Sequence, residues 1–470
     1  MTNTNTRELV YLAGLLHDIG KFYQRADPDG LPKSKFVSDA NKQAVSTFCP
    51  KTLYGGYSHK HVIWTLQFFD TFSGLFTDVL TKEELAQLTR LASAHHRPNP
   101  ASPEERIIQL ADHYSSGIDR TNQAGLADEF EEDKNDGKSN WDDFKKVRMV
   151  SIFDTLLDQK KITSRLPVSA LKLDPAFFPE QREGDFDESA KRQYQTMWAA
   201  FTDELTTLSQ IQNRPRSVAT LAETLLYLLE KYTVTVPSST QHLPDVSLFD
   251  HLRSTASLSV CLYDYLLATN KLTRVAVQTD EAPLLLIGGD LSGIQTFIYD
   301  IIGRSAAKNL KGRSFYLQLM VDTIVQFLLD GLQLYRGNVV YSSGGGFYIL
   351  APNTETIRIE LDRLKSILTH QLRDEHGVRL FLAIDCQSVT QGEIFGQAIN
   401  EPWGKLTEKL SAQKRRRFAD FLPTDEGFRY FFEPGEVGGE SRGSRDAVTS
   451  EEFSPGEKTY PLGLDDDDTN

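Results

Sequence analysis

One order of elements, running from residue 282 to residue 389, limits the possible folds more than anything else in this chain. APLLLIGGDL is a short continuous apolar run that ends in glycines, the pattern of a buried strand. QTFIYDII and RSFYLQLMVDTIVQFLLDGL carry apolar residues at helical spacing. NVVYSS, a glycine turn and FYILAP predict a hairpin, TIRIELDRLKSILTHQLRDE a helix and VRLFLAIDCQSV a closing strand. The order is βαββαβ, which makes residues 276–400 a ferredoxin-like module with its helices on one face of an antiparallel sheet.

The N-terminal 120 residues read differently, as helices throughout, so the fold class is α+β with an all-α domain first. In LAGLLHDIGKF, the spacing of Leu12, Leu15, Leu16 and Ile19 puts His17 and Asp18 at the end of a buried helix, with Gly20 as its terminator. Burying a carboxylate is costly unless it is paired or coordinates a metal. The pair alone also fits a capping aspartate beside a core histidine. Further candidates follow: His59 and His61 in YSHKHV, His95 and His96 in ASAHHRP, and Asp112 in IIQLADHYSSGIDR. Imidazoles and carboxylates are the usual ligands of Mn, Fe, Ni or Zn at hydrolytic centres, where bound water is acidified enough to attack a phosphodiester. The order His-Asp, His, His-His, Asp is the ligand order of HD-type metal hydrolases. Within it His17, Asp18 and Asp112 are the firmest, and His59 is preferred to His61 for its closeness to the Gly-rich turn. His95 and His96 stand as alternatives, because adjacent helical residues point about 100° apart. Lys21 either holds a phosphate, orients Asp18 or is a solvated helix-end lysine; His113 reads as a neighbour.

Two glycine clusters mark the strand ends of the βαββαβ segment. GGDLSGIQ follows a buried strand and opens a helix, and SSGGGFY forms the hairpin turn facing it. Glycine permits positive φ and close approach, and free amides at a helix start attract phosphate. Asp290, Ser292, Gly293, Ser343, Gly344 and Gly345 are therefore the candidate nucleotide-facing residues, against the alternative of tight-turn chemistry alone. The hairpin turn carries Ser and Gly where a nucleotidyl-transferring palm would carry metal-binding acids.

Between and after these units, residues 121–146 form a polar, acidic linker or loop. Residues 147–275 are a mixed, mainly helical connecting region with short strands in RMVSIFDTLL and ITSRLPVSALKL, and residues 401–470 hold a helix and a Gly/Ser/acid-rich tail. A net charge of −14 argues against a protein that coats nucleic acid with its whole surface, while leaving room for a confined cleft. Three scattered cysteines form no CxxC pair, so neither a disulfide framework nor a cysteine zinc site is expected. No apolar run is long enough to span a bilayer and MTNTNTREL lacks a signal pattern, so the expected location is cytoplasmic, with no membrane partner.

Taken in order, LLHDIGKF, SHKH, ASAHHRP, QLADHYSSGIDR, VPSST, PDVSLFDHLRSTA, GGDLSGIQTFIYDI, LKGRSFYLQL, SSGGGFYIL and EKLSAQKRRRFADFL resemble the large HD–palm subunit of type III-A (Csm-type) CRISPR effector complexes. The resemblance implies an HD domain that cuts single-stranded DNA with a divalent metal (Mn, Ni, Fe or Mg) when the CRISPR RNA-guided complex pairs with target RNA. It implies a first palm that binds ATP, other Csm-type subunits as partners, and a second palm whose GGDD turn makes cyclic oligoadenylates. The positions that match are His17, Asp18, His59, His95 or His96 and Asp112 in the HD set, and Ser292, Gly344 and Gly345 in the palm. HD domains of this family are described as circularly permuted, which would let His251 approach the metal late in sequence; the expected ligand set leaves it out. No GGDD occurs, and the sequence stops at Asn470 near what resembles the entry to a zinc element without its cysteines. Cyclase activity of this polypeptide alone is therefore not expected; either a separate chain supplies the second palm or the gene is truncated. The alternatives are a free-standing HD nucleotide phosphohydrolase and a non-catalytic scaffold. Lys414–Phe418 (KRRRF) reads as a solvated helix face rather than an RNA contact.

Overall fold

The computed structural model describes residues 4–119 and 142–432, except 54, 157–162, 183, 185, 212–214, 241–242, 300–305, 397 and 420. Most of the acidic 121–146 segment and all of 433–470 lie outside the described residues. The chain begins with helices α1 (Thr4–Leu16), α2 (Ile19–Ala26), α3 (Asp39–Gln43), α4 (Val45–Phe48), α5 (His61–Thr71), α6 (Lys82–Ser93) and α7 (Pro103–Asp119). Local signals explain where they start. Thr81 and Glu84 form a capping box that opens α6, each side chain bonding the other's backbone amide.

The connecting region holds α8 (Ile152–Leu156), β1 (Ser164–Arg165), β2 (Glu180–Gln181), α9 (Glu188–Gln210), α10 (Val218–Thr233) and α11 (Leu248–Ala268). The strands expected here shrink to one two-residue antiparallel pair, and the apolar run at Ile152 is helical instead. Helix α9 packs on α2, with Trp198 stacked on Tyr23 at a 4.2 Å ring separation. Its N-terminus is tied down by Asp187, which accepts from the Ser189 amide at 2.8 Å, Arg148 Nε at 2.7 Å and Arg182 Nη1 at 2.7 Å. Burial alone would raise this carboxyl, but the Ser189 and Arg148 hydrogen bonds outweigh it and hold the pKa at about 2. A carboxyl depressed in the folded state stabilises it above the unfolded value and loses that contribution as pH falls through the folded one. Stability is therefore expected to drop between about pH 5 and pH 2, and Asp187→Asn to flatten that part of the profile. Denaturant melts at stepped pH check this, and an unchanged slope in the variant would refute it.

Helix α11 falls in the mainly helical connecting region, but it is not a surface helix. From Leu248 to Leu266 it is buried on almost every side, because α1 and α7 cover one flank and the palm-like sheet covers another. Ser247 caps it, accepting from the Asp250 amide at 2.9 Å.

That sheet is built from β3 (Leu284–Ser292), β4 (Val339–Ser343), β5 (Gly346–Pro352) and β6 (Phe381–Val389) in the order β4-β5-β3-β6, with every pairing antiparallel. Helices α12 (Ile294–Tyr299), α13 (Ala306–Gly331) and α14 (Glu355–His376) complete the expected order of elements, and α15 (Gln391–Phe395), α16 (Asn400–Arg415) and α17 (Asp425–Phe432) follow. Leu285, Ile287 and Leu291 of β3 join a core with α13 and α14. Leu284 and Leu286, pointing the other way, join the larger core with α11 and with Leu406 and Leu410 of α16. The expectation of helices on one face only therefore misses half of the packing. A strand buried on both faces is also why β3 reads as an unbroken apolar run. Among the described residues, no helix is long and apolar enough to cross a membrane.

Candidate metal centre

His17 and Asp18 occupy the two-residue break between α1 and α2, and both are fully buried. Gly20 does not terminate a helix; it lies inside α2, at a crossing too tight for any side chain. A Cβ there would fall 2.1 Å from the His61 carbonyl oxygen and 2.7 Å from the Thr65 amide nitrogen. Thr65 locks the crossing by donating to the His17 carbonyl at 3.0 Å and accepting from the Gly20 amide at 3.2 Å. The first residue of α5, His61, is thereby pressed against the His-Asp break.

Two groups of side chains converge here, each with donor atoms within 4.8 Å of one another. One comprises Asp18, His61, His95 and His96; the other comprises His17, Asp18, Asp112 and His251. Asp18 belongs to both. Its Oδ1 lies 2.9 Å from His61 Nε2 and 3.5 Å from His95 Nε2. Its Oδ2 lies 3.4 Å from His17 Nε2 and 3.3 Å from His251 Nε2. Asp112 Oδ1 closes the second group at 3.7 Å from His17 Nε2 and 3.2 Å from His251 Nε2.

Three expectations change. His95 and His96 are both brought in, because α6 ends at Ser93 and the helical argument for choosing between them does not apply. His61 replaces His59. With φ of 53°, His59 stands outside the helix; its Nδ1 lies 3.0 Å from Ser58 Oγ and its ring 4.0 Å from that of His96, but it is in neither group. His251 enters from the first turns of α11. The PDVSLFDHL segment is the capped start of the helix that carries it. The family resemblance points to His251 as a late approach to the metal, but the expected ligand set leaves it out, and nothing in the local pattern says what its helix will face.

Proton positions show what this cluster needs. His17 Nδ1 lies 2.8 Å from the Gly14 carbonyl and His95 Nδ1 2.9 Å from that of Ala92. A carbonyl can only accept, so each Nδ1 carries the proton and each Nε2 turns a lone pair inward. His17 Nε2 faces His251 Nε2 at 3.2 Å, and His96 Nε2 faces His61 Nε2 at 3.2 Å. Among the described residues, His95 Nε2 and Asp18 Oδ1 are buried with no hydrogen bond of good geometry. Buried acceptors that converge without donors are costly, and cations resolve that cost. The donor set therefore fits divalent metal.

The electrostatics agree. Burial pushes Asp18 up, but the Lys21 ammonium, His17 and His61 hold it well below the usual carboxylate range. Burial likewise opposes Asp112, and the neighbouring His17 and His251 imidazoles keep it well below that range. Burial depresses His95, and burial together with the neighbouring imidazoles depresses His96 further, leaving both neutral as ligands must be. For His17 the Asp18 and Asp112 carboxylates outweigh burial and raise it. Lys21 Nζ sits 2.6 Å from Asp18 Oδ2, so its ammonium orients that carboxylate.

The glycine clusters meet at one end of the sheet. Asp290 pairs with Gly346 across β3 and β5, and the Leu291 amide donates to the Gly345 carbonyl at 2.9 Å. Gly344 and Gly345, with φ of 62° and 87°, are the two central residues of a hairpin turn that closes on Ser343 and Gly346. Gly293, at φ 96°, leaves room for the Arg379 carbonyl where a Cβ would sit. Turn geometry and packing thus account for these glycines by themselves. Ser292 is buried, and Asp290 forms an ion pair with Lys414 of α16, so that lysine is not a purely solvated one.

Residues 3–117 match the HD domain family, and residues 283–434 match the Csm1 subunit domain B family. The CRISPR system single-strand-specific deoxyribonuclease Cas10/Csm1 (subtype III-A) of Enterococcus italicus is 28% identical over 432 residues, which cover 88% of this chain and 51% of the relative. The chain is homologous to the Cas10/Csm1 proteins of subtype III-A. The crystal structure of a Csm1–Csm4 subcomplex in the type III-A CRISPR–Csm interference complex superposes with a TM-score of 0.61 at 25% identity, covering 90% of this chain and 50% of that one. A Csm1–Csm4 cassette in complex with cA4 gives a TM-score of 0.59 at 25% identity, covering 90% and 51%. This chain spans about half the length of the curated Cas10/Csm1 relatives it matches.

Proposed function

We propose that this chain is the HD–palm portion of a Cas10/Csm1-type large subunit and cleaves single-stranded DNA with divalent metal at its HD centre. The observation that carries the reading is Asp18, whose two oxygens face two separate sets of imidazole donors inside a buried pocket. His61, His95 and His96 would hold one ion, and His17, Asp112 and His251 another, with Asp18 belonging to both sets. Divalent ions so held supply Lewis acidity and an acidified water for phosphodiester hydrolysis. The protein's own contribution is to fix the tautomers through Gly14 and Ala92 and to anchor Asp18 through Lys21.

We read the four-stranded sheet, with its order β4-β5-β3-β6, as a ferredoxin-like palm that takes ATP at the joined glycine turns. The juxtaposition of those turns and the cA4 complex of a related cassette support this, while the Lys414–Asp290 pair must open for Asp290 to take part. CRISPR RNA, target RNA and other Csm subunits are the partners this reading requires.

With Mn(II), the chain is expected to cut a single-stranded oligodeoxynucleotide, and His17→Ala/Asp18→Ala to abolish the cutting. Undiminished cleavage by the double variant would sink the assignment. Hydrolysis of mononucleotides with no cutting of the oligonucleotide would point to a free-standing nucleotide phosphohydrolase. A purified chain that retains no Mn, Ni or Fe would point to a scaffold.

A further inference from the structure

Three of the converging imidazoles turn Nε2 toward Asp18 or Asp112 from a ring whose Nδ1 is hydrogen-bonded, and for His17 and His95 the bond is to a backbone carbonyl of the preceding turn. For His251 the bond is to a serine hydroxyl, its Nδ1 lying 2.9 Å from Ser115 Oγ on α7. Ser115 Oγ in turn lies 2.7 Å from Ser254 Oγ, and Ser254 Oγ donates to the carbonyl of His251 itself at 3.1 Å. Ser115 is fully buried.

With Ser254 donating to the His251 carbonyl, the protons of this loop run one way. The His251 carbonyl accepts and never donates, so Ser254 spends its single hydroxyl proton there. Ser254 must then accept from Ser115, and Ser115, its own proton spent, must accept from His251 Nδ1–H. The proton of the imidazole is thereby fixed on Nδ1, and Nε2 is left with a lone pair aimed at Asp18, Asp112 and His17. The neighbouring helix serves the same end, since α7 supplies Asp112 to the pocket and Ser115 to the back of the ring, three residues apart on one face.

We propose that Ser115 and Ser254 are positioning residues that fix the tautomer and ring orientation of His251, and through it the affinity of the half-site containing His17 and Asp112. The proposal rests on the reading of the cluster as a metal centre. Outer partners of this kind typically change metal affinity about 10–100-fold when removed. In the full chain, Ser115→Ala is expected to weaken Mn(II) binding at that half-site by about this factor, and to leave the His61 half-site unchanged. Ser115→Thr, which keeps the hydroxyl, should restore it. Mn(II) titrations followed by electron paramagnetic resonance resolve the two classes of site, with His251→Ala marking which class is lost. Nitrogen-15 NMR of the imidazoles gives a second readout in metal-free protein: the His251 proton sits on Nδ1 in the wild type and distributes over both nitrogens in Ser115→Ala. Wild-type Mn(II) affinity at both sites and an unchanged His251 tautomer in Ser115→Ala would overturn the proposal. A wild-type chain that binds no Mn(II) overturns the metal reading instead, and the tautomer measurement then still decides the role of Ser115.

Discussion

Asp18→Asn is expected to cost both half-sites at once, whereas His61→Ala and His251→Ala should each cost one. The carboxylate stands between two sets of donors, with Oδ1 toward His61 and His95 and Oδ2 toward His17 and His251. An amide keeps the shape but removes the charge and puts NH₂ donors where a ligand oxygen stood. Cleavage should fall on the order of 10³-fold or more, the scale seen when one member of a cooperating unit is removed. Bound Mn(II) measured on the purified variant checks it: stoichiometric metal in Asp18→Asn would show that the two groups do not depend on the shared carboxylate.

Gly20→Ala is the second large effect, and it acts without touching a ligand. The new methyl would meet the His61 carbonyl at 2.1 Å and the Thr65 amide nitrogen at 2.7 Å, both backbone atoms that cannot swing away. Helix α5 must shift outward, at a cost of about 1–3 kcal/mol or more for overpacking of this kind. His61 is the first residue of α5 and moves with it, so metal affinity should fall together with thermal stability. A variant that melts like the wild type and binds Mn(II) normally would show that the crossing is looser than its geometry. This glycine carries a constraint set by its neighbour's backbone, which is why its local pattern read as a helix stop.

How much of the centre could be read in advance follows the same division. His17, Asp18 and Asp112 sit beside strong helical apolar patterns, and local periodicity placed them well. His95 and His96 were treated as alternatives because the chain ahead of them looked helical. The end of α6 at Ser93 releases both, and nothing in ASAHHRP announces that stop. His59 outranked His61 on proximity to glycines, but the start of α5 at His61 decides which imidazole turns inward. His251 depends on a contact between α7 and α11, and such pairings are tertiary facts that no window of sequence contains. In the sheet, the order of elements was plain from strand and helix periodicity. The covering of its second face by α11 and α16 was not, although the unbroken apolar run of β3 hinted at it.

Helix α11 has a practical consequence for dissecting this protein. Its early turns deliver His251 to the proposed metal centre, and its flank is sealed by the sheet, with Arg253 Nη1 donating to the Val339 carbonyl and Cys261 Sγ beside the Leu350 carbonyl. A fragment cut before β3 would keep every metal donor yet strip the cover from one side of this helix, turning a core into an exposed, aggregation-prone surface. Expression trials that aim to isolate the N-terminal half should therefore retain the sheet, or replace the apolar residues α11 presents to it.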